Sequence, residues 1–217
     1  MNTEKLDEIG DEHISTCIDT PLLPTAFDKS DDQKISIIQD HFARIMETLG
    51  LDLSDGSLQG TPYRVAKMYV KELFYGINPV NHPTVSTFDN NYGYGKLLVE
   101  KNISIDSSCE HHFLPIVGKA HVGYKASDRV IGLSKINRIV DYYSHRPQVQ
   151  ERLALQIVNA LKEALKTDDV IVVIDAKHLC VSSRGIKDKD SSTITTEYDG
   201  CFNDNEVRKE FFNMLGQ

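Results

Sequence analysis

The sequence predicts an α+β fold, an antiparallel β-sheet with helices on one face and further helices in front of it. Three observations carry that prediction. Apolar residues recur at three and four positions up to about residue 76, then alternate from about residue 97. From Leu97 onward the expected elements run β-β-α-α-β-β, an order that folds as a sheet with a helix layer. The chain has 217 residues and is 40% apolar, enough for a packed core.

The elements follow in order. Residues 1–30 are acidic, interrupted by Pro21 and Pro24, and are expected to be an arm with room for a short helix. Asp31 or Asp32 can cap a helix to about Leu49, with Ile35, Ile38, Phe42, Ile45, Met46 and Leu49 on its apolar side and Gly50 as its stop. Thr61-Pro62 reads as the N-cap and first residue of a second helix, continuing through Val65, Met68, Tyr69 and Leu73 to near Gly76. Residues 78–95 read as loop. Leu97–Ile105 and Val117–Lys125 alternate as strands, with Gly118 and Gly123 as candidate bulges. Ser134 can cap a helix from Lys135 to about Ser144, and Pro147 opens a longer one striped by Val149, Leu153, Ile157, Leu161 and Leu165. Strands are expected at Val170–Asp175 and Ser191–Tyr198, and a last helix at about Asn205–Leu215. Four short strands leave open edges that must be covered or paired, and pairing between copies predicts an oligomer.

Charge and cysteine usage narrow the function classes. The net charge is −8, of which residues 1–32 carry −7 (two basic against nine acidic). A field of that sign does not attract nucleic acid, and an anionic small substrate needs a local basic cluster. No run of 18 apolar residues exists, so no membrane span is expected. The first residues form neither a cationic nor an apolar leader, which points to the cytosol. Four cysteines there read as ligands or buried thiols rather than disulfides.

The chemistry concentrates at Cys109-Glu110-His111-His112. Cys109 and His112 stand three apart, a spacing that a tight turn folds around one metal ion, and Cys180 is the candidate third ligand. Three such ligands with an open position describe a catalytic zinc site, whereas a structural site wants a fourth protein ligand. Neighbours on extended chain point to opposite faces, so both histidines reach one ion only across a sharp turn. His112 is therefore assigned as the ligand and His111 as a free acid or base. His178 sits two before Cys180, on the same side of a strand, where an imidazole can shuttle protons near neutral pH.

Basic residues fall into three groups: Arg64 with Lys67, Lys135 with Arg138 beside Ser134, and Arg184 after Cys180. Taken singly, each pair reads more readily as a solvated helix face. Together, beside a metal motif in an acidic chain, they favour phosphate binding, and Ser134 at a helix start offers a phosphate seat. Glu151, with Gln150 next to it, can accept the paired N–H donors of a purine or pterin edge, although an acidic first turn suits any helix.

Four segments carry a resemblance to a known family. Ser108–Phe113, Val130–Arg138, Arg146–Leu153 and Ser183–Asp188 closely resemble GTP cyclohydrolase I in content and order. The resemblance covers roughly residue 40 to the C-terminus. It implies a tunnelling fold, in which ββααββ units join into a β-barrel, a homodecamer, and active sites at subunit interfaces. Residues 1–60 would then be the arm and helical region, and 61–217 the zinc-dependent catalytic domain. The implied reaction is GTP plus water giving formate and 7,8-dihydroneopterin triphosphate. The implied roles are Zn2+ on Cys109, His112 and Cys180, proton transfer by His111 and His178, and nucleobase recognition by Glu151 with Gln150. Arg64, Lys67, Ser134, Lys135, Arg138 and Arg184 would hold the triphosphate. Other tunnelling-fold enzymes use a three-histidine zinc site or a catalytic Cys with a nicotinamide cofactor, and this ligand pattern disfavours both.

Overall fold

The computed structural model describes residues 17–216. A helix expected in the acidic arm falls in part on residues 1–16, which lie outside the described residues, and residues 17–30 form turns. Helix α1 spans Asp31–Thr48. Its cap is Ser30, not Asp31 or Asp32: Ser30 Oγ accepts from Gln33 N at 3.3 Å and Gln33 Oε1 accepts from Ser30 N at 2.9 Å. The two aspartates sit in the first turn, where the helix dipole favours negative charge. Gly50 follows with φ +85°.

Helix α2 spans Thr61–Met68 and runs on as a π-helical turn over Tyr69–Leu73. Gly60 occupies its cap position, so Thr61 lies inside the helix. The region expected to be loop holds a short strand, β1 at Thr87–Asp89, which pairs antiparallel with β4 at Arg129–Ile131. At three residues each, these strands are too short for a period to announce them.

The main sheet has five strands in the order β5-β2-β3-β6-β7: β2 Leu97–Cys109, β3 Pro115–Lys125, β5 Pro147–Gln148, β6 Val170–His178 and β7 Thr193–Tyr198. Its four long strands are antiparallel, as expected, while β5 pairs parallel with the end of β2, Cys109 opposite Gln148. Pro147 therefore belongs to this short strand and does not open a helix. The bulge lies in β2, between Glu100 and Ile103, where Asn102 takes φ +64°. Gly118 and Gly123 are not bulges but points of close approach. A Cβ on Gly118 would stand 2.2 Å from Asp175 O, and one on Gly123 2.7 Å from the Phe211 ring.

Helix α3 spans Leu133–Ser144 with Gly132 at its cap, so Ser134 does not cap it. Helix α4 spans Gln150–Leu165. Both pack on one face of the sheet against Ile105, Ile116, Ala120, Val122, Val172 and Ile174. Ile157, Leu161 and Leu165 expose at most 1% of their surface, and each such burial contributes about 1.5–3 kcal/mol.

Strand β6 is apolar on both faces because both are covered. Val170, Val172 and Ile174 face α3 and α4, while Ile171 and Val173 join Leu97, Phe202 and Phe211 on the other side. Phe211 belongs to α6, Asn205–Leu215, so helices cover part of the second face as well as the first. A four-residue helical turn, α5 at Leu179–Ser182, follows β6 directly. No helix among the described residues is long and apolar enough to cross a membrane.

Candidate active site

Strand β2 ends at Cys109, which is buried, and the chain turns sharply through Glu110–His112. Cys109 N donates to Leu114 O at 2.8 Å and Phe113 N donates to Cys109 O at 2.8 Å, closing the turn. Phe113 completes it in the left-handed region, φ +54°. Its ring packs on Phe74 at 5.1 Å and Tyr69 at 6.3 Å, so the end of α2 backs the loop. From the other side β5 holds it, with Glu110 N donating to Gln148 O at 3.0 Å.

This turn changes which way the histidines point. Cys109 Sγ lies 3.6 Å from His111 Nδ1 and 3.8 Å from His112 Nδ1. The extended-chain argument that separated the two rings does not apply, because the residues are not extended. Strand β6 reaches the same place from across the sheet, His178 opposite Ile116, and α5 then carries Cys180 inward. His178 and Cys180 thus do not share one strand, and the turn of α5 is what brings the cysteine across. Donor atoms of Cys109, His112 and Cys180 all lie within 4.8 Å of one another, a group that could hold a metal ion.

The electrostatics suit a cation. Burial and the neighbouring Cys109 sulfur push the Cys180 thiol up to about 11. Two sulfurs this close repel each other as thiolates, and a metal ion relieves that repulsion and takes the place of their protons. Arg184 Nη1 lies 2.7 Å from His112 Nε2, at the edge of the group.

His178 is half-buried, which lowers its pKa, while the Glu151 carboxylate pulls it back upward. Its Nε2 lies 2.8 Å from Gln150 Oε1. Gln150 is buried, and its amide nitrogen lies 3.0 Å from Ile174 O, 2.8 Å from Thr193 O and 3.1 Å from Thr195 Oγ1. Three oxygen neighbours fix the amide orientation and leave its oxygen for His178, so the imidazole must carry its proton on Nε2. Gln150, expected beside the substrate, thus has its side chain committed to β6, β7 and His178. Glu151 follows it, exposed, in the first turn of α4.

Of the other basic residues, Arg64 and Arg138 have side chains placed by contacts elsewhere in the chain. Arg64 folds back on its own helix, Nη2 donating to Thr61 Oγ1 at 2.8 Å, and Lys67 is exposed. The end of α3 adjoins β2 near the site, Ser107 Oγ donating to Ser144 O at 2.6 Å. Ser134 lies ten residues earlier, about 15 Å up the helix axis. Arg138 lines a polar cleft of about 460 Å³ with Asn137, Asp141 and Glu100–Ser104. Arg184, by contrast, stands directly beside a metal-binding residue, His112.

Sequence reasoning missed Arg152. It is buried and forks onto Glu110, Nη1 to Oε2 at 2.5 Å and Nη2 to Oε1 at 3.4 Å. Nothing in a helical Gln-Glu-Arg run distinguishes a buried arginine from a solvated one. Cys201 lies beside Asp169, and burial pushes its thiol up to about 11.

Comparison with known proteins agrees with this geometry. The family model for GTP cyclohydrolase I matches residues 38–216. A protein of Flavobacterium johnsoniae named GTP cyclohydrolase 1 is 59% identical over 214 residues, covering 99% of this chain and 96% of that protein. Proteins of the same name from Salmonella arizonae and Salmonella newport are each 45% identical over 208 residues, covering 95% of this chain and 94% of theirs. With near-complete coverage in both directions, the chain belongs to the GTP cyclohydrolase I family.

Proposed function

We propose that this chain opens the guanine imidazole ring of GTP with water, releasing formate and forming 7,8-dihydroneopterin triphosphate, and that zinc is its metal. One observation carries the reading: the donors of Cys109, His112 and Cys180 converge within 4.8 Å, with His111 in contact with Cys109 and His178 two residues before Cys180. Two ligands held about 2.1–2.3 Å from a tetrahedral zinc stand roughly 3.4–3.8 Å apart. Cys109 Sγ and His112 Nδ1 fit that spacing at 3.8 Å. Two thiolates and one imidazole suit zinc, and three protein ligands leave a position open. When bound there, zinc lowers the pKa of a water toward roughly 7 and supplies the nucleophile at neutral pH.

The chain's own residues handle recognition and protons. Glu151 accepts the N–H donors of the pyrimidine edge. His178, with its proton on Nε2, presents Nδ1 as a base and passes protons during ring opening and the later closure onto the freed amine. His111 protonates a ring nitrogen or the ribose oxygen as bonds to C8 break. Arg184 meets the triphosphate at the edge of the site. Ser134, Lys135, Arg138, Arg64 and Lys67 complete that seat from neighbouring copies in a homodecamer whose barrels pair open sheet edges. This assignment is supported by the edge position of β7 and by α3 adjoining β2 near the site through its end, Ser144, and not through its start. Residues 61–217 form the catalytic domain and 1–60 an arm and helix, working in the cytosol.

Incubation with GTP tests the proposal. Formate should appear in step with a pterin that fluoresces after oxidation, and a chelator should stop both.

A further inference from the structure

Arg152 is the most deeply buried cation around the site, its side chain only 3% exposed, and it is outside the machinery assigned above. Its guanidinium has two engaged sides. One side forks onto Glu110, the residue between Cys109 and His111. On the other, Nε donates to Cys17 O at 3.0 Å. One turn further along α4, Gln156 Nε2 donates to Ile18 O at 3.2 Å, while its Oε1 accepts from Gln148 Nε2 at 2.8 Å. Gln148 is the β5 residue paired with Cys109. The segment at Cys17–Ile18 is therefore joined to both sides of the metal-binding loop through two side chains on one helix face.

Glu110 reaches further into the site. Its Oε1 lies 3.8 Å from His111 Nε2, and His111 Nδ1 lies 3.6 Å from Cys109 Sγ. A bidentate guanidinium fixes both oxygens of a carboxylate in one plane. A buried ion pair adds little stability over an apolar pair of equal volume, so stability alone gives this pair no reason to stand one residue from a metal ligand.

We infer that Arg152 is a positioning residue: through Glu110 it holds His111 in place, and it ties that loop to the chain at Cys17–Ile18. The inference rests on the proposed proton-transfer role of His111. Arg152 is too buried to meet substrate, so its loss acts on turnover and not on GTP binding.

The test uses the intact protein with two variants. Arg152→Lys keeps the charge but loses the fork and the Nε donor. The double variant Glu110→Gln, Arg152→Gln removes both charges together and leaves neither buried alone. Metal per chain, KM for GTP and kcat per metal-loaded site are measured for each. The inference expects metal content and KM within about twofold of the parent, with kcat down about 10–100-fold, the range typical when an outer partner of a site residue is lost. Arg152→Lys with kcat within about twofold of the parent would overturn it. So would a loss of activity that follows metal content or folded fraction alone, which makes the pair scaffolding. If the double variant does not fold, Arg152→Lys decides. A parent that turns over no GTP would instead overturn the proposed function, which separates the two failures.

Discussion

Gln150 presents its amide oxygen to His178 Nε2 at 2.8 Å because its amide nitrogen is held among three oxygens of β6 and β7. The sheet thus fixes which nitrogen of the imidazole carries the proton. Gln150→Leu should lower kcat by about tenfold or more while metal content stays unchanged. Leaving Ile174 O and Thr193 O without their donor also costs about 1–3 kcal/mol, visible as a lower thermal midpoint. His178→Ala should keep the metal and lose about 100-fold or more in kcat, the usual contribution of an acid–base group. Full activity in both variants would remove His178 from the mechanism.

Cys180 reaches the metal-binding group only because α5 turns directly after β6. Cys180→Ser and His112→Ser should each purify with far less bound metal than the parent and release no formate above background. Elemental analysis alongside a formate assay checks both. A Cys180→Ser protein with full metal and full activity would remove the third ligand.

Glu151 lies exposed in the first turn of α4, close enough to His178 to oppose, in part, the lowering that burial imposes on the imidazole pKa. As the acceptor of two N–H bonds from the nucleobase it should contribute about 1.5–3 kcal/mol, typical of hydrogen bonds to a charged group. Glu151→Gln should therefore raise KM for GTP by about 10–100-fold. An unchanged KM would count against the nucleobase role.

His121 offers a pH test of stability away from the metal residues. It is buried beside the β2 bulge, with Asn102 N donating to its Nδ1 at 3.4 Å. Burial lowers its pKa, opposed by Asp175 and reinforced by Lys101. A histidine with a depressed folded pKa contributes full stability above its unfolded value near 6.5 and loses it as pH falls through the folded value. Thermal midpoints should fall between pH 7 and pH 5, and fall less in His121→Asn, which keeps an acceptor without titrating. Equal slopes in both proteins would exclude His121 as a source of the acid sensitivity.

The parts of the molecule legible in sequence were those set by spacing and period. The last helix, Asn205–Leu215, and the order of the four long strands follow from alternation and periodicity, and the metal-binding group from a Cys-x-x-His spacing with one distant Cys. What escaped depended on backbone placement. Ser30 outcompetes Asp31 as a cap because Gln33 reciprocates its bond. Pro147 reads as a helix opener, yet it pairs with Ser108 in a two-residue strand that no period can reveal. The orientation of His111 turned on Phe113 adopting φ +54°, a conformation without a signature in that residue type. The basic residues were grouped by chain proximity to motifs, and the length of α3 sets its start apart from its end, the part that adjoins β2 just before Cys109.

The central claim is that donors from the neighbouring C-terminal ends of β2 and β6 hold a metal that serves GTP hydrolysis. Its most direct measurement follows formate and oxidised pterin from GTP as zinc is restored to chelated protein. The account predicts that both products rise together and reach a plateau near one zinc per chain. Products at full rate in chelated protein, or no products at one zinc per chain, would contradict it.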